Sequence, residues 1–91
     1  MEQTTLFLVQ SAADQAWSDL VKMAQSDDCI VLIGDAAIKV TRSITAAYSN
    51  IYCLNNEHSL IVEELRAEIL AIDYAQLADL SLKFKRCISL K

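Results

Sequence analysis

The sequence predicts an α/β fold: a small three-layer α/β/α domain with a mostly parallel sheet of four or five strands. Short apolar runs alternate with amphipathic stretches along the chain, and polar turn residues separate them. Parallel strands need crossover helices on the sheet faces, so the strands themselves become nearly continuous apolar runs. The 91 residues leave room for one hydrophobic core, and residues 1–91 are expected to form a single domain.

The first half of the chain contains two strand candidates joined by a helix. Residues 5–10 (TLFLVQ) are an apolar run with little alternation, which is typical of a strand covered on both faces. Ser11, with Asp14 three residues later, predicts the start of a helix that continues to Ala24 with apolar residues at spacings of three and four. Residues 29–33 (CIVLI) form the second strand candidate.

The middle of the chain is less regular. Residues 36–50 could form a helical stripe, but their β-branched side chains argue against one unbroken helix. Residues 51–54 (IYCL) form the third strand candidate, and a helix is expected at 57–67.

A strand followed by a helix is also predicted near the C-terminus. Residues 68–73 (EILAID) read as the fourth strand, and Asp73 with Gln76 predicts a capping box that opens a helix reaching Phe84. Residues 85–91 (KRCISLK) could be a short edge strand or a tail.

Polar residues follow each of the four predicted strands. Because open parallel sheets bind ligands or partners beyond the carboxyl ends of their strands, these corners form the candidate binding surface. Its residues are Ser11, Asp35, Asn55 and Asp73. The two aspartates are also natural cap or turn residues, and capping is the role expected for both.

Composition narrows the function classes. Hydrophobic residues make up 54% of the chain, so part of the apolar surface is expected to contact another subunit, or a second copy when the chain is isolated. A single glycine, Gly34, excludes glycine-rich phosphate loops, and no cofactor is expected.

The sequence shows no membrane or export signal. No apolar stretch approaches the length of a membrane span, and Met1-Glu2 opens without a basic or apolar signal region. A cytoplasmic protein is expected.

The three cysteines do not suggest a disulfide framework, because they are odd in number and far apart. Cys29 and Cys53 lie in apolar runs and are interpreted as inert core thiols. Cys87 follows Lys83, Lys85 and Arg86, and nearby cations favour the reactive thiolate. Cys87 is therefore either a candidate persulfide carrier or a plain residue of the tail.

The remaining residues indicate a catalytic, metal or nucleic-acid-binding site only weakly. His58 is the single histidine and is expected on an exposed helix surface, and no Cys or His pair has the close spacing of a zinc site. Asp27-Asp28 is interpreted as part of a helix-to-strand turn. Four of the eight basic residues fall within the last nine positions, but with one interleaved aromatic they indicate nucleic-acid binding only weakly.

Four segments together resemble the TusB/DsrH family of bacterial sulfur-relay subunits. They are TLFLVQS near the start, IVLIGDA, IYCLNNE and, most specifically, AIDYAQLADLSLKF. The chain departs from the family where Asp35 is followed by Ala36 rather than glycine, and its first predicted helix lacks the cysteine that some DsrH members carry there.

The resemblance implies a DsrE/F/H-like fold and a place in a heterohexamer with two related sister subunits. Such a complex passes persulfide sulfur to a downstream acceptor protein for 2-thiolation of the tRNA wobble uridine, or handles sulfur in cytoplasmic sulfur oxidation. The main sulfur-carrying cysteine belongs to a sister subunit, so this chain would be a structural subunit that meets tRNA only indirectly. The alternative is a sulfurtransferase that carries persulfide on Cys87.

Overall fold

Five strands form a single sheet in the computed structural model, which describes residues 5–11 and 13–90. They are β1 (Thr5–Val9), β2 (Cys29–Leu32), β3 (Asn50–Leu54), β4 (Leu70–Ile72) and β5 (Arg86–Leu90). Their order across the sheet is β4-β3-β2-β1-β5, and every neighbouring pair is parallel. The predicted α/β class is confirmed. Met1-Glu2 and Lys91, which entered the sequence arguments, lie outside the described residues.

Helical segments connect the strands. The α-helices are α1 (Asp14–Met23), α2 (Asp35–Lys39), α3 (Arg42–Ala47) and α4 (Tyr74–Leu82), and two 3-10 helices span Asn55–Leu60 and Glu63–Glu68. From β1 to β4 the chain moves across the sheet in one direction, and it then returns past β1 to β5. Right-handed crossovers therefore place the first three connections on one side of the sheet and α4 on the other.

The two sides of the sheet are covered unequally. The side that bears Phe7, Val9, Ile30 and Leu32, which we call the front face, packs against buried residues of α1, α2, α3 and the second 3-10 helix, and against Ile61 between the two 3-10 helices. The opposite side, the back face, bears Leu6, Cys29 and Val31 and packs against three partly buried residues, Leu77, Leu80 and Phe84. The front face therefore holds most of the core.

The structure decides two elements that the sequence left open and corrects a third. Residues 36–50 form two short helices, because Val40 and Thr41 adopt extended backbone between α2 and α3. The helix expected at 57–67 is wrong: extended residues at Ile61 and Val62 divide this region into the two 3-10 helices. The residues after Lys85 form the edge strand β5, paired with β1.

The start of α1 also differs from the prediction. Its N-cap residue is Ala13, which offers no side-chain hydrogen bond, and Ser11 Oγ instead accepts from the Ala13 amide at 3.0 Å. The capping box at α4 is present as predicted: the Asp73 carboxylate accepts from Gln76 N at 2.7 Å, and the Gln76 side chain accepts from Asp73 N at 2.9 Å.

Candidate functional site

The sheet opens into a crevice at the carboxyl ends of β3 and β4. These strands are neighbours, yet the chain leaves β3 toward the front face and leaves β4 toward the back face. Loops that diverge in this way leave a gap between them, which is the place where open α/β sheets bind ligands or partners. The topology therefore joins two of the four predicted corners into one cavity.

The crevice has a volume of about 320 Å³ and an apolar floor. Leu54 and Ile72 are 3% and 7% exposed at its base, while exposed side chains form its upper part. The lining residues are Leu54, Asn55, Asn56, Ile72, Asp73 and Tyr74. Apolar floors with a few polar groups above them suit small organic groups or a partner's side chain.

The structure brings two of the four predicted corner residues together. Asn55 and Asp73 both line the crevice, although 18 positions separate them in the sequence. The Asp73 carboxylate is engaged in the capping box, so its role as a cap is confirmed and its charge is partly satisfied. The polar groups that remain available in the crevice are therefore mainly the side-chain amides of Asn55 and Asn56 and the phenol of Tyr74.

The other two corner residues lie at the carboxyl ends of β1 and β2. Ser11 accepts the local hydrogen bond described above, and Asp35 is the exposed first residue of α2. Asp35 is not a helix cap as predicted, because Gly34 holds the N-cap position with a positive φ of 64°. A glycine adopts this left-handed backbone without steric cost.

Glu57 links two corners that the sequence treats as separate. Its carboxylate accepts from Gly34 N at 2.9 Å, so the turn after β2 is fastened to the first 3-10 helix after β3. A bond between residues 23 positions apart leaves no periodic signal in the sequence. Glu57 and the apolar floor are the parts of this edge that sequence reasoning missed.

His58 has a structural role rather than the exposed position that was expected. It is half-buried, and its Nε2 lies 3.1 Å from the Arg66 carbonyl oxygen and 2.9 Å from that of Ile69. Arg66 in turn donates to the carbonyls of Ile61 and Ser59 at 2.8 and 2.9 Å. These bonds hold the two 3-10 helices together.

Two of the three free thiols are resistant to ionisation. Burial, and to a lesser degree the negative charge of Asp28, raises the pKa of Cys29 from its ordinary value of 9.0 to about 12. Burial, followed by the charge of Glu57, raises the pKa of Cys53 to about 11. Since the thiolate is the nucleophile, both residues are poor sulfur carriers in the folded chain.

Cys87 lies elsewhere and is accessible. It is exposed on the edge strand β5, where its thiol is 3.8 Å from the Ser81 carbonyl oxygen. Its strand begins at the amino edge of the sheet, next to the exposed cations Lys83, Lys85 and Arg86. Cys87 therefore does not belong to the crevice at the carboxyl edge.

The different environments of the thiols predict their reactivity. In the native chain at pH 7, we expect iodoacetamide to modify Cys87 and to leave Cys29 and Cys53 unmodified, because burial suppresses both of their thiolates. Mass spectrometry of the alkylated chain should show one added group, and three after denaturation. Cys87→Ser is the control and should give none in the native state. Native labelling of Cys29 or Cys53 would contradict the buried placement.

A second cavity, of about 300 Å³, lies between α1 and the α2–α3 segment. It is lined by Asp14, Trp17, Lys39, Thr41 and Ile44. The Trp17 indole nitrogen is buried and has no hydrogen-bond partner within residues 5–11 and 13–90. Because this donor is sealed from solvent, a ligand in the cavity could not reach it, and we place the candidate site at the β3–β4 crevice.

Comparisons with known proteins give no match: no family model fits the chain, and neither curated proteins nor solved structures resemble it significantly. Among the described residues, none of the helices has the length and apolar character needed to cross a membrane. The same part of the chain contains no group of three or more His, Cys, Asp or Glu side chains arranged to hold a metal ion.

Proposed function

We propose that this protein is a non-catalytic structural subunit of a cytoplasmic sulfur-transfer complex of the TusB/DsrH type. One observation carries the proposal. The four segments that resemble the family fall on four successive strand-and-corner units, each of them a strand of the sheet with the residues that follow it. The resemblance thus follows the framework of the fold, including the β3–β4 crevice and the helix α4.

The placement of the thiols favours a supporting role over that of a sulfur carrier. A persulfide carrier needs a thiolate that a donor and an acceptor can both reach. Cys29 and Cys53 are buried and have raised pKa values, and Cys87 lies on an edge strand away from the crevice. In the proposed complex, a sister subunit therefore carries the sulfur and passes it to a downstream acceptor protein.

Of the two branches of the family, we propose the one that supports 2-thiolation of the tRNA wobble uridine. The first helix favours this choice, since α1 contains no cysteine, whereas some DsrH members carry one there. A DsrH-type role in cytoplasmic sulfur oxidation is the alternative. The two branches share the same expected assembly with two sister subunits.

Co-expression tests the assembly. We expect the chain to elute in gel filtration together with two related sister subunits, at the mass of a heterohexamer. A chain that elutes separately from both sisters would overturn the proposal.

The same complex separates a supporting role from the alternative carrier role. With a persulfide donor, Cys87→Ser in this chain is expected to leave sulfur transfer to the acceptor unchanged. Replacement of the sister subunit's exposed carrier cysteine is the positive control and should abolish transfer. A persulfide mass increase of one sulfur on Cys87, lost together with transfer in Cys87→Ser, would identify this chain as the sulfurtransferase.

A further inference from the structure

Helix α4 presents an apolar line to solvent. Tyr74, Ala78 and Leu82 are spaced four residues apart and so lie one above another on the same side of the helix. Tyr74 is 67% exposed, Leu82 is 85% exposed, and Ala78 is exposed as well. The inner side of α4 is apolar too, since Leu77 and Leu80 pack on the back face. A helix that is apolar on both sides is normally covered on both.

Helix α4 also has fewer charged residues than exposed helices usually have. Asp79 is the single charged residue between Tyr74 and Leu82. No residue of α4 is fully buried, although this helix covers the back face. The exposed surface of α4 therefore carries one charged side chain, that of Asp79, where a solvated helix face typically carries several.

The sheet-facing flank of α4 is more polar than its outer line. A groove of about 230 Å³ lies between this flank and the β3–β4 edge, and its lining residues are Tyr52, Ile72, Gln76, Asp79, Leu80 and Lys83. Gln76, Asp79 and Lys83 are spaced three and four residues apart, so they share a side of the helix that differs from the side of Tyr74, Ala78 and Leu82. The apolar surface available for a contact on α4 is therefore the outer line itself.

The two ends of α4 carry opposite charge. Asp73 precedes the helix, and Lys83, Lys85 and Arg86 follow it, all of them exposed. An antiparallel copy of the same helix would therefore place its basic end against the acidic end of the first. Such a surface is complementary to itself, which is the requirement for a two-fold symmetric contact.

We propose that the chain forms a homodimer in which α4 packs antiparallel against α4 of a second copy, with the two-fold axis at Ala78. In this register Tyr74 faces the second copy's Leu82, and Asp73 faces the second copy's Lys83. Ala78, the smallest residue of the line, allows the closest approach at the axis. The two Asp79 carboxylates lie beside the axis, where Lys83, one helical turn later, offsets their repulsion.

The size of the contact limits its strength. A contact made by one face of a nine-residue helix buries less than the roughly 800 Å² per partner of a standard interface. We therefore expect a reversible dimer that is populated at protein concentrations on the order of 100 μM and dissociates at about 1 μM. This inference goes beyond the proposed function, because it requires no sister subunit and no sulfur chemistry.

Sedimentation velocity between these concentrations tests the dimer. Leu82→Glu is expected to weaken dimerisation at least about tenfold, because it puts a carboxylate opposite Tyr74 of the second copy. Val21→Glu is the matched control: Val21 is 58% exposed on α1, on the other side of the sheet, and its substitution should leave the dimer unchanged. A chain that stays monomeric at 100 μM, or a dimer that Leu82→Glu does not weaken, overturns the proposal.

Disulfide cross-linking tests the register. In a Cys87→Ser background, Ala78→Cys should cross-link into a dimer when diamide oxidises the two thiols to a disulfide. Ala46→Cys, at an exposed alanine of α3, is the control and should remain monomeric. Equal cross-linking of both variants would exclude the α4 contact. Sister-subunit assembly of the Leu82→Glu variant is measured separately, so failure of the dimer and failure of the proposed function remain distinguishable.

Discussion

Phe7→Ala is expected to destabilise the chain by about 3–5 kcal/mol. Phe7 is 1% exposed on β1, where its strand neighbours are Ile30 and Ile88, and it packs within the front-face core. Truncation removes a buried ring and leaves a cavity among residues that cannot collapse fully. A domain of this size has a total stability of about 5–14 kcal/mol, so the loss is a large part of it. Urea unfolding followed by Trp17 fluorescence measures it.

Phe84→Ala provides a matched control on the other side of the sheet. Phe84 is only partly buried where it packs on the back face, and we expect a loss of about 1–2 kcal/mol. Equal losses for the two variants would show that the back face contributes as much to the core as the front face, which would contradict the unequal layers.

The two helical layers, which differ in size, show where the many hydrophobic residues of the chain lie. The excess of hydrophobic residues predicts buried surface, and alternating strands and helices predict helices on both sides. The strand order then places three connections over one side and α4 alone over the other. The three most exposed large hydrophobic side chains, those of Leu70, Tyr74 and Leu82, lie in β4 and α4 on this thinner side, while the other five in the described part of the chain belong to the segments that cover the front face.

Strands β1 to β4 were predictable because each lies in an apolar run bounded by polar turn residues. The 57–67 region was not, since its composition suits an α-helix but its conformation depends on distant carbonyl groups. His58 and Arg66 bond to the backbone across the segment and stabilise two short 3-10 helices. Similarly, the pairing of β5 with β1 depends on the return of the chain past three strands, which no local pattern encodes.

The candidate site was predictable only in part for the same reason. A parallel sheet places every strand-to-helix corner on one edge, so Asn55 and Asp73 could be identified as edge residues. Their meeting in one crevice depends on β3 and β4 being neighbours whose connections diverge. Strand order is a property of the whole fold, so the sequence predicted four equivalent corners where the structure has one crevice.

Asp28 has a structural role that the sequence pattern did not predict. The pattern predicts an acidic turn, but Asp28 is 6% exposed, unlike its exposed neighbour Asp27. One carboxylate oxygen accepts from Thr5 N at 2.9 Å and the other from Gln25 N at 2.8 Å. The side chain thus joins the start of β1, the segment after α1 and the start of β2.

Asp28→Ala is expected to destabilise the chain by about 2–4 kcal/mol, because it leaves two backbone donors without their charged acceptor. Asp27→Ala is the control and should change stability by less than about 0.5 kcal/mol. Asp28→Asn retains one acceptor oxygen and should fall between them. Asp28→Asn also removes the negative charge beside Cys29, so the pKa of the Cys29 thiol should decrease from about 12. The pKa should stay above its ordinary value, because burial is the larger cause of the shift. Urea unfolding and the thiolate absorbance at alkaline pH measure the two effects, and an Asp28→Ala variant as stable as Asp27→Ala would contradict the assigned role.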